Sequence, residues 1–127
     1  MTAWPGAIGA ITLVVEDLDA CKDFYARVFE LPVVFEDDSS AVFSFGGTLV
    51  NLLLAPAAAE LLEPATPGGA TDGPRLQLTL EVDDVDATCA RLASLGVDLL
   101  NGPMDRPWGP RTASFRDPAG HVWEIAH

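Results

Sequence analysis

Basic residues are scarce in this chain of 127 residues, which has 7 Lys and Arg against 19 Asp and Glu and a formal net charge of -12. Such a charge repels nucleic-acid phosphates and anionic lipid headgroups, so we expect neither nucleic acid nor a membrane as a partner. A cationic ligand or a bound cation would be attracted, although an acidic surface also serves simply to keep a protein soluble. The charge therefore excludes two classes of partner without identifying one.

Cysteine, histidine and long apolar runs are also scarce. Cys21 and Cys89 have neither CxxC spacing nor a companion cluster, which excludes a disulfide framework and a zinc knot and predicts reduced thiols in a cytoplasmic protein. The first apolar stretch is interrupted at Glu16 and Asp17, too early for a membrane-spanning helix, and no basic region of a signal peptide precedes it. The two histidines do not indicate a catalytic triad, and no GxGxxG or GxxxxGK run indicates a nucleotide.

The chain contains the same order of elements twice. Residues 8–15 are β-branched and aliphatic, which predicts a strand, and the following apolar residues recur every three or four positions, which predicts a helix. Three strands follow, with the sequences VVFED, AVFSF and TLVNLLL. After a segment rich in proline and glycine come a strand of alternating apolar and polar residues and a second helix. Three more strands follow, with the sequences VDLL, RTASF and HVWEIA. The turn-rich loop NGPMDRPWGPR follows the first of them, and a turn joins the last two. Both halves therefore have the order β-α-β-β-β.

Counting along the sequence supports an internal repeat. Asp17 corresponds to Asp84, an offset of 84 - 17 = 67, whereas placing Gly47 on Gly120 pairs Asn51 with Glu124. We predict one α+β domain over residues 1–127, with modules at about 8–55 and 76–127 and a linker at about 56–75. Because neither half can cover its own sheet, the two βαβββ modules should form one curved, cup-like mixed sheet with the helices outside.

Four segments together resemble the vicinal oxygen chelate superfamily, which includes glyoxalase I, bleomycin-resistance proteins and extradiol dioxygenases. They are AITLVVEDLDACKDFYARVFEL, LTLEVDDVDATCARLASLGV, the loop RPWG and the final SFRDPAGHVWEI. The second half is the more specific part, because a DPxGxxxE segment follows the strand, helix and RPWG loop in the expected order. The resemblance covers nearly the whole chain and implies a cup of strands, usually dimeric, with a site inside the cup.

In metal-dependent members, four strand positions, two per module, present histidine, glutamine or glutamate side chains to one divalent ion. The resemblance places these positions at Ala10, Asn51, Gln77 and Glu124. Ala10 offers no ligand atom, the two amides are weak ligands, and only Glu124 is a carboxylate. Catalytic metal sites usually have about three good protein ligands. We therefore expect no metal and no other cofactor; a divalent metal, if bound, would use Glu124, Gln77 and Asn51.

Other residues are candidates for binding a small molecule. Trp108 lies in the rigid RPWGPR loop, where its ring would either stack on a planar or cationic ligand or fold over the core. Arg111 would pair with Glu124, contact an anionic group or remain a surface residue. Phe43 lines the cup if it has the matching strand parity and otherwise belongs to the core. Because side chains alternate along a strand, Gln77 and Glu124 lie on the side opposite their apolar neighbours, which faces either the cup or water.

Two functional hypotheses follow from these residues, and the incomplete metal set favours the first. It is a non-catalytic protein of the bleomycin-resistance type, a cytoplasmic homodimer that binds an antibiotic-like planar or cationic compound through Asn51, Gln77, Trp108, Arg111, Glu124 and Phe43. The alternative is a metal-dependent lyase, isomerase or dioxygenase that uses Glu124 and Gln77. A structural or regulatory domain with no ligand is a third alternative, for which the sequence has no positive feature.

Overall fold

The computed structural model describes residues 3–127 and shows the order of strand, helix and three strands twice. The first set is β1 (Ala10–Val15), α1 (Leu18–Phe29), β2 (Val33–Glu36), β3 (Ser40–Phe45) and β4 (Thr48–Leu54). The helix α2 (Ala55–Leu62) follows it. The second set is β5 (Gln77–Glu81), α3 (Val85–Ser94), β6 (Leu99–Asp105), β7 (Arg111–Arg116) and β8 (Val122–Ala126). The predicted α+β class with two βαβββ modules is confirmed.

The two main helices begin with the same side-chain cap. The carboxylate of Asp17 accepts a hydrogen bond from the backbone N–H of Ala20, and that of Asp84 accepts one from Ala87, each over 3.0 Å. These bonds satisfy amide groups that have no partner within the helix. The cap thus recurs at the offset that the sequence repeat predicts.

Each module has its own four-stranded mixed sheet. The strand order is β1-β4-β3-β2 in the first and β5-β8-β7-β6 in the second. The pairs β1/β4 and β5/β8 are parallel, and the other neighbours are antiparallel. The chain divides into two compact units, up to Ala70 and from Thr71, so a single domain over residues 1–127 remains a prediction.

In each unit, alternate strand residues form a buried core. In the first unit Tyr25 of α1 packs against Phe43, with 5.7 Å between the ring centroids. Strand residues on the same side are buried as well, namely Leu13, Val15, Ala41, Val50 and Leu52. In the second unit the buried residues are Val85 and Leu92 of α3 and Ala113, Phe115, Trp123 and Ile125 of the sheet. As the parity of the final strand predicts, Trp123 and Ile125 lie in the core.

Two segments are more regular than the sequence indicated. The helix α2 occupies the beginning of the predicted linker, and β6 extends to Asp105 into the predicted loop NGPMDRPWGPR. β6 and β7 stay paired on both sides of a register shift that lies between Asn101 and Met104. Gly102 lies at this shift with φ +84°, and a Cβ there would be 2.5 Å from the carbonyl oxygen of Thr112. Glycine allows this close approach because it has no side chain.

Both cysteines lie on helices as predicted, and both are buried thiols that form no disulfide within the described residues. Burial raises the pKa of the Cys89 thiol, with a further contribution from the nearby Asp86 carboxylate, which makes a reactive thiolate unfavourable. Among residues 3–127, no helix has the length and apolar character needed to cross a membrane.

Candidate functional site

One residue from each strand of the second sheet contributes to a polar row. The register places Thr79 beside Glu124, Glu124 beside Ser114, and Ser114 beside Asn101. Paired residues in a sheet point to the same side, and neighbours along a strand point to opposite sides. The row therefore lies on the face away from the buried Trp123 and Ile125. Thr112 lies on the same side of β7 as Ser114, and we call these five residues the polar face: Thr79, Asn101, Thr112, Ser114 and Glu124.

Hydrogen bonds fix both ends of the polar face. The hydroxyl of Thr79 donates to Oε1 of Glu124 over 3.0 Å, and the hydroxyl of Ser114 donates to Oδ1 of Asn101 over 2.8 Å. Ser114 and Thr112 are only 1% and 2% exposed, whereas Glu124 is half-buried. Within the described residues, Oε2 of Glu124 has no hydrogen-bond partner. The carboxylate is thus held in place through one oxygen while the other is available to accept a hydrogen bond.

Arg106 lies over the end of the polar face that Asn101 and Thr112 form. Its Nε donates to the hydroxyl of Thr112 over 2.8 Å, and its Nη2 donates to Oδ1 of Asn101 over 3.5 Å. Its guanidinium carbon is 5.5 Å from the centre of the Trp108 ring, the geometry of a cation–π contact. The sequence reasoning overlooked Arg106, although it belongs to the RPWG motif from which Trp108 was selected.

A tight turn presents Trp108 to solvent. The backbone N–H of Arg106 donates to the carbonyl of Pro110 over 2.8 Å, and that of Gly109 donates to the carbonyl of Arg106 over 3.0 Å. Gly109 has φ +131°, a conformation that favours glycine. The Trp108 side chain remains 72% exposed. The indole of Trp108 is therefore open to solvent, with the guanidinium of Arg106 on one side of it.

Arg111 does not pair with Glu124, which corrects one of the alternatives given above. Its Nε and Nη2 each donate to a different carboxylate oxygen of Asp86 over 2.9 Å, and its Nη1 donates to Asp105 over 3.1 Å. The alternation of β7 places Arg111 on the face opposite Ser114, and Ser114 shares its face with Glu124. Arg111 therefore attaches the first turn of α3 to the sheet, and this contact lowers the pKa of the Asp86 carboxyl.

The remaining predicted residues are dispersed. Gln77 is exposed at the start of β5 and has the same parity as Thr79, which places it on the side of the polar face. Phe43 is 0% exposed and packs against Tyr25, so it belongs to the core of the first unit and does not line a binding face. The strand parity that the sequence left open is thus decided against Phe43 as a ligand contact.

Asn51 occupies the position in the first sheet that Glu124 occupies in the second. It lies beside Thr12 on β1 and Val42 on β3, on the side away from the buried Phe43 and Val50. Its Oδ1 atom is buried and has no hydrogen-bond partner within the described residues. A buried amide oxygen without a donor is costly, so this atom is suited to accept a hydrogen bond from a ligand or a water molecule.

The donor set does not fit a catalytic divalent ion. Of the four positions implied by the resemblance, Ala10 has no donor atom, Asn51 and Gln77 supply amides, and Glu124 supplies the one carboxylate. His127 cannot readily replace them, because its Nδ1 accepts a hydrogen bond from the backbone N–H of Val85 over 2.9 Å. Residues 3–127 include no group of three or more His, Cys, Asp or Glu residues placed to hold a metal. We therefore derive no chemistry that depends on a metal.

Two βαβββ modules, each with a four-stranded mixed sheet and a capped helix on one side, define the class of this α+β protein. The chain belongs to the Glyoxalase/Bleomycin resistance protein/Dioxygenase superfamily, whose family model matches residues 7–125. It is 34% identical over 120 residues to the uncharacterized protein YraH of Bacillus subtilis, covering 91% of this chain and 93% of YraH. It is 30% identical over 122 residues to the metallothiol transferase FosB of Shouchella clausii, covering 93% of this chain and 77% of FosB.

Solved structures with the same fold include both an enzyme and a binding protein. Lactoylglutathione lyase from Agrobacterium tumefaciens is 26% identical with a TM-score of 0.79, over 96% of this chain and 93% of the lyase. TnmS3, an antibiotic binding protein from a Streptomyces species, is 27% identical with a TM-score of 0.74, over 98% of this chain and 97% of TnmS3. Superfamily membership is thus established, and the choice between catalysis and binding depends on the site itself.

Proposed function

We propose that this protein is a non-catalytic binder of planar, antibiotic-like small molecules, held at the polar face and at Trp108. The observation that carries the proposal is the 72% exposed indole, which a tight turn holds beside a row of fixed polar groups. A flat aromatic ring on a rigid loop binds planar molecules with little loss of conformational entropy. The name of TnmS3 supports the same class of function for a structural relative.

The polar face supplies orientation in this proposal. Oε1 of Glu124 accepts the Thr79 hydroxyl, so the carboxylate keeps one orientation and offers Oε2 to a donor on the ligand. Ser114 and Arg106 both donate to Oδ1 of Asn101, so these three side chains are already arranged before a ligand arrives. Preorganised polar groups lower the entropic cost of binding. The exposed amide of Gln77, on the same side of β5 as Thr79, is proposed as a further ligand contact.

Calorimetric titration of the metal-stripped protein tests the proposal. The probes are three planar compounds of different charge: the cation proflavine, neutral 6-hydroxy-2-naphthamide and anionic 6-hydroxy-2-naphthoate. We expect saturable binding of at least one probe and a loss of about tenfold in its affinity, or 1.4 kcal/mol, in Trp108→Ala. Trp4→Ala is the matched control, because Trp4 is also exposed and lies in the first unit. Absence of binding by all three probes, or equal binding by Trp108→Ala, would contradict the proposal.

The same instrument tests the catalytic alternative, in which Glu124 and Gln77 hold a divalent metal. Titration with manganese, iron(II), nickel and zinc should show no binding that depends on Glu124. Micromolar binding, about 8 kcal/mol, that is lost in Glu124→Ala would instead support a metal-dependent lyase, isomerase or dioxygenase. This test is informative because one relative, FosB, is named as a metallothiol transferase.

We further propose that the protein acts as a cytoplasmic homodimer. Large apolar side chains remain exposed on one chain, among them Val34 (54%), Phe35 (58%) and Leu100 (41%), and a second copy would cover such surface. Cysteines that form no disulfide in the described residues are compatible with a reducing compartment. Light scattering during size-exclusion chromatography should give twice the 13.4 kDa mass of one chain, and a mass of 13.4 kDa would contradict the dimer.

A further inference from the structure

Arg106 differs from the well-paired cation nearest to it along the chain. Arg111 contacts two carboxylates, those of Asp86 and Asp105, whereas the contacts of Arg106 are the neutral side chains of Asn101, Thr112 and Trp108. In residues 3–127, Arg106 takes part in no ion pair. A half-buried guanidinium without a carboxylate is unexpected in a protein with 19 acidic and 7 basic residues.

The neutral contacts fix the guanidinium without neutralising it. Thr112 accepts from Nε, Asn101 accepts from Nη2 at 3.5 Å, and the indole of Trp108 covers one side. Within the described part of the chain, Nη1 has no hydrogen-bond acceptor. A positioned guanidinium with unused donors binds an anionic oxygen through strong, charge-assisted hydrogen bonds.

We propose that Arg106 selects planar aromatic ligands that carry an anionic oxygen, a carboxylate or a phenolate, at the end that approaches Trp108. The inference rests on the proposed function and adds the chemical class of the ligand. The ring of such a ligand stacks on the indole, and its anionic oxygen accepts hydrogen bonds from the guanidinium. A cationic ring is disfavoured at this end by charge repulsion, even though the net charge of the protein is -12.

The opposite end of the same ligand is a hydrogen-bond donor. Glu124 on β8 is separated from Asn101 on β6 by the one strand β7, and adjacent strands are about 4.8 Å apart, so the two side chains are on the order of 10 Å apart. Oε2 of Glu124 can accept a hydroxyl hydrogen, whereas a second anionic group there would be repelled. Two fused rings with an acid at one end and a hydroxyl at the other match this arrangement.

The test compares 6-hydroxy-2-naphthoate with its neutral amide, 6-hydroxy-2-naphthamide, by calorimetric titration. We expect the wild-type protein to bind the acid at least tenfold more tightly than the amide. Arg106→Gln should weaken binding of the acid by tenfold or more and change binding of the amide by less than threefold. Arg106→Lys keeps the charge and loses the planar contacts, so the preference for the acid should be intermediate.

The ratio of the two affinities separates recognition from folding. A variant that folds poorly loses both probes together, whereas loss of the charge contact changes the ratio alone. Arg27→Gln is the matched control, because it removes the same charge from α1 in the first unit. Equal affinity of acid and amide in the wild type, an unchanged ratio in Arg106→Gln, or tighter binding of proflavine would overturn this inference and leave the proposed function standing. Failure of every probe to bind would overturn both.

Discussion

The hydroxyl of Thr79 donates to Oε1 of Glu124 over 3.0 Å, across the parallel strands β5 and β8. Thr12 and Asn51 occupy the corresponding positions in the first sheet and are also side by side, but Oδ1 of Asn51 remains without a donor in the described structure. The repeat therefore preserves the position of a polar pair in both modules while only the second module forms the hydrogen bond.

Thr79→Val should reduce binding of 6-hydroxy-2-naphthoate. The hydroxyl holds Glu124 in one orientation, and its removal should weaken binding by about fivefold, or ~1 kcal/mol, as measured by calorimetric titration. Thr12→Val is the matched control in the first unit and should leave the affinity within twofold. Equal losses in the two variants would show that the effect does not arise from Glu124.

Asn51→Leu should stabilise the ligand-free protein. The substitution removes a buried acceptor that has no hydrogen-bond partner, so the free energy of unfolding should rise by about 1 kcal/mol in urea denaturation. Asn101→Leu provides the contrast, because Oδ1 of Asn101 accepts from Ser114 and Arg106 and its loss should destabilise the protein by about 1–2 kcal/mol. A destabilised Asn51→Leu would instead indicate that a bound water satisfies the amide.

Gly102→Ala should be strongly destabilising. The new Cβ would be 2.5 Å from the carbonyl oxygen of Thr112, at a φ of +84° that disfavours side chains. We expect a loss of roughly 2–4 kcal/mol in the free energy of unfolding and weaker probe binding, since the shift in β6 positions Asn101. Gly73→Ala has a similar φ of +85° with no atom within 4 Å, and its loss should be about 1 kcal/mol. Similar losses in both variants would show that the close approach is unimportant.

Asp86→Asn should make stability less sensitive to acid. Hydrogen bonds from Arg111 lower the pKa of Asp86 below its ordinary value of 3.8, so its ionised form stabilises the folded state. This contribution is fully present above about pH 4 and is lost as the pH falls through the lowered pKa of the folded state. The thermal unfolding temperature, measured from pH 6 down to pH 2, should therefore fall less steeply in Asp86→Asn than in the wild type.

The control for this pH dependence is Asp98→Asn, which removes an exposed carboxylate outside the ion pairs of the second unit. Its unfolding temperature should follow that of the wild type across the same pH range. If Asp86→Asn retained the full acid dependence of the wild type, the contact with Arg111 would not contribute to it.

Several features of the fold follow from local sequence patterns. The spacing of apolar residues predicted α1 and α3, and Asp17 and Asp84 cap them because each immediately precedes a helix. Strict alternation in HVWEIA predicted that Trp123 and Ile125 face the core, and Glu124 lies on the other side. These properties depend on neighbouring residues only, so the sequence is sufficient to predict them.

The positions of the two arginines depended on the tertiary structure. Alternation cannot be counted through a loop, and the register shift at Gly102 adds residues to β6 that change which side each later residue faces. Arg111 consequently meets Asp86 on the side of α3, while Arg106 reaches Thr112 and Asn101 on the polar face. The sequence by itself determined the repeated module, its caps and its core; only the packed sheet, through register and side-chain contacts, decided which cation is part of the candidate site.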